Sequence, residues 1–445
     1  MIENQFPLAP RVPVHPVRRL VTHPWLMHYH LLVVLVSVLN LALLGQGLAE
    51  GGWWWDAPSR LDSLSKLVLA NFAVAVLVRQ QYVVNLLFWL ATRAPTSWPL
   101  AIRWHLGKVY HFGGLHSGCA VVATLWFGVL TGASTWAWWQ QASGVSTALM
   151  AVSGALVALL AGIVVMALPQ IRTRWHNRFE LVHRFGGWAA LALFWAHALL
   201  FVDARRGERP LAEALWASPA WWTLIVLSTS IALPWLRLRK VRVEIVRPST
   251  HAAVVRFNHG ETPFPGSSTA VSRNPLVEWH SFANIPAPGE EGFRLIISRA
   301  GDWTGDFIND LPSHVWVKGI TTAGVANIET LFKKVVYVAT GSGIGPVLPH
   351  LLAQRVPMQL IWSTRSPRKT YGDALVDEIL AAQPDALIWD TDASGKPDLV
   401  HLALAAHRAG HAEAVICIAN QKLTREVVHA MESRGIPAYG AIWDS

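Results

Sequence analysis

Long apolar runs fill the first half of the chain and short alternating runs the second, so two kinds of structure are expected from one sequence. Six stretches, 25–48, 65–91, 109–132, 147–169, 185–203 and 219–237, reach or approach the roughly 20 residues a helix needs to cross a bilayer. After Arg237 the period changes. Val241-Arg242-Val243-Glu244-Ile245-Val246 alternates apolar and polar positions as a half-buried strand does. Pro and Gly punctuate short strand-like runs over 262–292, which predicts a small antiparallel barrel. From Lys334 the order is strand, glycine loop, helix, strand, the signature of a doubly wound α/β sheet. The expected organisation is a six-helix transmembrane bundle over 1–240, an antiparallel β-barrel over 241–330 and an α/β domain over 331–445.

Composition and charge sharpen this picture. Hydrophobic residues make up 52% of the chain and charged residues 15%, against roughly a quarter charged in soluble domains. The net charge of +9 has a topological explanation. Arg93, Arg103 and Lys108 lie in one connection between runs and Arg172, Arg174, Arg178 and Arg184 in another, while 133–146 carries no charge. Under the positive-inside rule, alternate basic connections place the N-terminus and everything after Arg237 in the cytoplasm. A multi-pass integral (inner) membrane protein in contact with the lipid bilayer is expected. No basic helix or aromatic stacking platform accompanies the charge, which argues against a nucleic-acid partner. Cys119 and Cys417 are the two cysteines, too few for a disulfide framework. Trp53, Trp54, Trp55 and the run Trp136-Ala137-Trp138-Trp139 flank helix ends, as interfacial tryptophans do.

The apolar strand Val335-Val336-Tyr337-Val338-Ala339 runs directly into Thr340-Gly341-Ser342-Gly343-Ile344-Gly345-Pro346 and then a helix. Glycines there let the backbone approach a pyrophosphate, and a helix N-terminus supplies free amides and a favourable dipole. The next strand, Met358 to Trp362, leads to Ser363-Thr364-Arg365-Ser366-Pro367-Arg368-Lys369 with no acidic residue in the run. Ser363, Arg365 and Arg368 suit a 2′-phosphate, so NADPH is expected over NADH.

Two further runs, Val277-Glu278-Trp279-His280-Ser281-Phe282-Ala283 and Ser298-Arg299-Ala300-Gly301-Asp302-Trp303-Thr304, resemble the flavin-binding barrel of the ferric reductase and NADPH oxidase family. That resemblance implies FAD held by Trp279, His280, Ser281, Phe282, Arg299, Trp303 and Thr304. Ser281 and Ala283 depart from the family pattern, and the hydroxyl missing at Ala283 removes a contact to the flavin. The glycine loop is similar to that of ferredoxin–NADP reductase domains. The same superfamily implies Cys417 as a catalytic residue near the hydride path and Trp443 as an aromatic cap on the flavin. The C-terminal run Glu432 to Gly440 also resembles the membrane redox portion of bacterial and fungal integral membrane proteins, some of them fused to adenylate-forming domains of the peptide-synthetase kind.

His183 and His197 lie fourteen positions apart, about 40° in azimuth and about 21 Å along a helix axis. That interval occurs in ferric reductase membrane domains, where histidine pairs hold two stacked haems. Tyr110-His111-Phe112-Gly113-Gly114 echoes His183-Arg184-Phe185-Gly186-Gly187, so one haem b between His111 and His183 is expected as the candidate inner site, while His197 lacks an evident partner. Arg79, within an apolar run, should face the bundle interior.

Taken together, the resemblance implies an NAD(P)H-dependent FAD oxidoreductase that passes electrons from NADPH into or across the membrane to an acceptor the sequence does not name. The alternatives are a haem-free flavin reductase of a lipid-soluble acceptor such as quinone, and a non-catalytic redox-sensing membrane protein.

Overall fold

The computed structural model describes residues 27–49, 57–141 and 145–441; Trp53, Trp54, Trp55 and Trp443 fall outside them. Five described helices are long and apolar enough to cross a membrane: His28–Ala49, the run Leu100–Trp139, Thr147–Ala167, His176–Asp203 and Pro219–Leu236. A bent pair, Leu61–Leu77 and Gln81–Thr92, passes the same test only when taken together.

The predicted straight run over 65–91 is therefore corrected. The chain bends by 76° between the two pieces. Arg79 and Gln80 sit in the break, and Gln80 caps the second piece by accepting the N–H groups of Tyr82 and Val83 at 2.6 and 3.2 Å. That piece then leaves the bundle. Val84 and Phe88 are buried in the core of the α/β domain, and Asn85 exchanges hydrogen bonds with the Thr321 carbonyl and the Ala323 N–H.

Close approach and buried amides hold the bundle itself. A Cβ at Gly114 would meet the Tyr29 carbonyl oxygen at 2.3 Å, so the His28–Ala49 and Gly113–Trp139 helices touch backbone to backbone. Asn40 and Asn71 hydrogen-bond at 3.0 Å, and the Trp126 indole donates to the Asn40 carbonyl oxygen at 2.9 Å.

Seven strands form the antiparallel layer: β1 (Leu238–Val246), β2 (Ala252–Phe257), β3 (Ser267–Ser272), β4 (His280–Ala283), β5 (Phe293–Ser298), β6 (His314–Lys318) and β7 (Thr322–Ala323). Their order is β4-β3-β6-β1-β2-β5, with β7 on β3. A backbone pair between Ile285 and Arg294 links the chain after β4 to β5 and closes the barrel. Val243, Val255, Phe257, Leu295, Ile297, Phe307 and Val317 fill its interior, as the alternation along β1 required. Only Arg237 separates the end of the last long helix, Leu236, from the start of β1.

Five parallel strands follow: β8 (Val335–Thr340), β9 (Met358–Thr364), β10 (Leu387–Asp390), β11 (Ala414–Ile418) and β12 (Ala438–Gly440), in the order β10-β9-β8-β11-β12. The order reverses between β8 and β11, and the crevice at the carboxyl ends of those strands is where doubly wound sheets bind ligands. The sheet is bolted to the 100–112 connection. Arg103, 3% exposed, donates to the Leu331 carbonyl and both Glu413 oxygens; Lys108 pairs with Glu432 and donates to the Ala438 carbonyl. The Tyr439 hydroxyl donates to the Trp104 carbonyl at 2.8 Å.

Candidate active site

The glycine loop lies at that crevice. Gly341 has φ +49°, and a Cβ at Gly343 would stand 2.0 Å from the Ile418 carbonyl oxygen, so no larger residue fits where β8 passes β11. Thr340 ends β8, the turn Gly341–Gly343 follows, and the helix Ile344–Ala353 opens with Gly345 and Pro346 in its first turn. Ser342 is exposed at the mouth and Ile344 is anchored in the core. The Trp362 indole donates to the Gly341 carbonyl at 3.0 Å and fixes the loop to β9.

At the end of β9, Ser363 is buried opposite Thr340. Arg365 makes no side-chain ion pair among the described residues, whereas Arg368 is bound by Asp373 at 2.9 Å and Asp377 at 2.8 Å. Its charge is already answered. Of the two arginines expected at a 2′-phosphate, Arg365 is thus the one without an ion-pair partner among the described residues, and Arg368 carries two exposed ones.

On the barrel, His280 and Phe282 share one face of β4 and both stack on Trp303, at 4.1 and 6.0 Å between ring centroids. Ser281 points the other way and is exposed. Glu278 accepts the Arg273 N–H at 2.8 Å and lies 3.0 Å from His280 Nε2, which sets the imidazole's orientation. Burial works against the Glu278 charge, but the hydrogen bonds, led by the Arg273 N–H, hold its carboxyl below the usual range. Thr304 caps the helix Asp302–Asp310, its hydroxyl accepting the Ala300 and Gly301 N–H groups. Arg299 donates to the Thr250 carbonyl and to Asn309, with its guanidinium over Gly305.

The two halves face each other. The helix Ile344–Ala353 packs against β4, and the Gly341–Gly343 turn against β5. Ser298 donates to the Tyr371 hydroxyl across the seam at 3.4 Å. A flavin at the β4 end of this seam fits the residues present: His280 and Trp303 stay partly exposed there, while Thr269, the register partner of Phe282, keeps its buried, unpartnered hydroxyl on the barrel-core face.

Cys417 is not on that seam. Ile416 and Ile418 face the barrel side of the sheet with Ile344, while Cys417 faces away, among Val336, Val338, Leu402 and Met431. Burial pushes its thiol up to about 12 despite a hydrogen bond from Thr424. The expected catalytic role is corrected to packing, because alternation along β11 sends residue 417 to the far face.

The histidine pairing changes too. His111 lies in a 3₁₀ turn, Gly107–Phe112, with its ring 4.3 Å from Tyr110 and 5.6 Å from His28. His116 instead faces His183, with ring centroids 6.0 Å apart, and its Nδ1 lies 2.8 Å from the Ala75 carbonyl. His197 packs on Phe127 and Phe201, with no imidazole across from it among the described residues. The expected pairing of His111 with His183 is therefore not the one the structure forms, and no group of three or more metal-ligating side chains occurs among the described residues.

Residues 325–445 match the family model described as the C-terminal domain of adenylate-forming reductase 03009. The chain is 43% identical over 422 residues to adenylate-forming reductase 03009 of Coprinopsis cinerea, and 42% identical over 422 residues to adenylate-forming reductase 06235 of the same organism. Each alignment covers 94% of this chain and 40% of the relative. The chain spans two-fifths of the length of these relatives. Among solved structures, a ferredoxin–NADP+ reductase from Neisseria gonorrhoeae with bound FAD and NADP is 14% identical, covering 46% of this chain and 98% of its own at a TM-score of 0.37. The flavohaem-like FAD/NAD-binding domain of nitric oxide dioxygenase from Vibrio cholerae is 13% identical, covering 46% and 99% at a TM-score of 0.33.

Contacts that the sequence reasoning passed over, and Lys318 and Trp235 with them, close the site on its bundle side. Trp279, one position before β4, meets Trp235 of the last long helix edge to face at 6.1 Å. Lys318, at the end of β6, lies 4.5 Å from the Trp279 ring centroid and 5.4 Å from that of Trp235. Arg184 donates to the Val277 carbonyl and holds the same loop from the His176–Asp203 helix. A lysine ending a strand looks solvent-facing in one dimension; only the docking of barrel on bundle covers it.

Proposed function

We propose that this chain is a membrane-embedded NAD(P)H-dependent flavin oxidoreductase whose barrel and α/β domain lie on the cytoplasmic side and deliver electrons into the helical bundle. The observation that carries this reading is the Trp279 contact: the loop leading into β4 is itself a wall of the bundle, through Trp235 and Lys318. Electrons leaving a flavin on β4 meet the bundle within one layer of side chains.

FAD, when bound, accepts a hydride from the nicotinamide and releases its electrons onward. The residues of this chain supply geometry. The face of β4 bearing His280 and Phe282, with Trp303, would hold FAD, and Glu278 keeps His280 in place. The amides of Gly341 to Gly345 would take the nucleotide pyrophosphate, and Arg365 the 2′-phosphate. Packing of Ile344–Ala353 on β4 excludes water from the space between flavin and nicotinamide.

The test is an anaerobic titration of the FAD-loaded, detergent-purified protein with NADPH and with NADH. Bleaching of the flavin absorbance, at lower NADPH than NADH, is expected. No bleaching by either nucleotide would sink the reading.

A further inference from the structure

A cavity of about 450 Å³ runs between the helices, with Trp235 and Lys318, the two side chains that meet Trp279, in its lining. Arg79, His116, His183, Arg184 and Lys318 line one end, and Phe72, Leu130, Phe194, Phe201 and Leu224 are among the apolar residues beyond. No Asp or Glu lines it. His183 and Phe201, both on its wall, are eighteen residues apart on one helix, about 27 Å by helical rise. The space is long, narrow, apolar along most of its length and cationic at one end.

We propose that this cavity binds a membrane quinone, its ring at the Arg79–His116–His183–Lys318 end beside Trp235 and its isoprenoid tail towards Phe201, and that the quinone is reduced there; the inference rests on the NAD(P)H–flavin reading above. The overall reaction is NADPH + H⁺ + quinone giving NADP⁺ + quinol. The hydride of NADPH supplies two electrons and one proton, and the second proton comes from solvent.

Several observations select this occupant. The Arg79 side chain makes no hydrogen bond or ion pair among the described residues, and its guanidinium lies 5.7 Å from the Phe112 ring centroid. An unanswered guanidinium in an apolar enclosure requires a ligand oxygen. Negative charge develops on the quinone oxygens during reduction, and an end with three cationic side chains and no carboxylate stabilises it. Lys318, pushed down to about 8 by burial and by Arg184, is placed to give a proton at neutral pH. The lining beyond that end stays apolar as far as Phe201, which suits an isoprenoid tail, and His197 has no imidazole partner among the described residues.

The experiment uses the full chain, purified in mild detergent and loaded with FAD, as wild type, Arg79→Leu and Arg79→Lys. Initial rates are measured with NADPH and three acceptors: ferricyanide, which collects electrons at the flavin, decylubiquinone, and a short-chain menaquinone. Wild type should reduce ferricyanide and at least one quinone; Arg79→Leu should lower quinone kcat/KM by roughly tenfold or more and leave ferricyanide within about twofold, and Arg79→Lys should restore part of the loss. Ferricyanide reduction without quinone reduction, or an Arg79→Leu variant that reduces quinone normally, overturns the inference and leaves the flavin reading standing. A Soret band in wild type that His116→Ala abolishes also overturns it, in favour of an iron porphyrin. If ferricyanide is not reduced, the flavin reading fails, and quenching of tryptophan fluorescence by decylubiquinone then decides the site alone: quenching weakened by Arg79→Leu supports it, and none overturns it.

Discussion

The Lys318 ammonium lies 4.5 Å from the Trp279 ring centroid, where the barrel's last lysine meets the loop that leads into β4. One side chain therefore senses both the flavin strand and the bundle.

Lys318 should govern the pH dependence of electron delivery. Burial first, and then Arg184, push its pKa down to about 8. As pH rises through about 8 the side chain loses its charge, so acceptor reduction should fall, and Lys318→Met should lack that inflection in a pH–rate profile. Stability moves oppositely. Between about 8 and the unfolded value of about 10.4 the unfolded chain binds more protons, so this residue's contribution rises with pH there. Thermal melts across that window should converge for wild type and Lys318→Met at the alkaline end.

The glycine loop separates two alanine substitutions. Gly343→Ala brings a methyl 2.0 Å from the Ile418 carbonyl and must part β8 from β11, whereas Gly345→Ala meets nothing nearer than Ile296 at 3.8 Å. Gly343→Ala should destabilise the α/β domain by about 1–3 kcal/mol and slow NADPH-driven flavin bleaching by tenfold or more, to order of magnitude. Gly345→Ala should melt within a degree or two of wild type, as a rough expectation for a substitution that creates no clash. Stopped-flow bleaching and calorimetry check both.

Nucleotide preference should rest on Arg365. Its replacement by Ala should raise the KM for NADPH by roughly tenfold and leave NADH unchanged, since it removes one charge-assisted phosphate contact. Arg368→Ala should change the NADPH-to-NADH ratio much less, because Asp373 and Asp377 already occupy its guanidinium. Steady-state kinetics with both nucleotides distinguish the two.

Arg103→Ala should loosen the α/β domain from the 100–112 connection. The guanidinium is 3% exposed and joins Glu413 to the Leu331 carbonyl. Removing it strands a half-buried carboxylate, at a cost of about 3 kcal/mol or more. Faster proteolysis at the domain junction, with the flavin spectrum retained, is the expected result.

Period and punctuation made the barrel and the parallel sheet readable, because β1 alternates and the glycine loop interrupts a β-branched strand. Three placements escaped for local reasons. A run of apolar residues over 65–91 carries no mark of a 76° bend except Arg79 and Gln80, whose capping role depends on the bend. The pairing of His111 with His183 rested on the echo of two sequence runs, but His111 belongs to a 3₁₀ turn and His183 to a long helix, so the matching positions do not face each other and His116 stands beside His183 instead. Cys417 was legible and misjudged: with Ile416 and Ile418 turned to the barrel, period two sends the thiol away from it. Trp279 and Lys318 meet Trp235 only when two domains dock, which no local pattern encodes.

Arg237 alone separates the helix ending at Leu236 from β1. A one-residue connection, together with the Trp279, Lys318 and Arg184 contacts, ties the barrel to the end of the bundle. On the proposed reading, the distance from flavin strand to bundle is thus set when the chain folds rather than by a long tether.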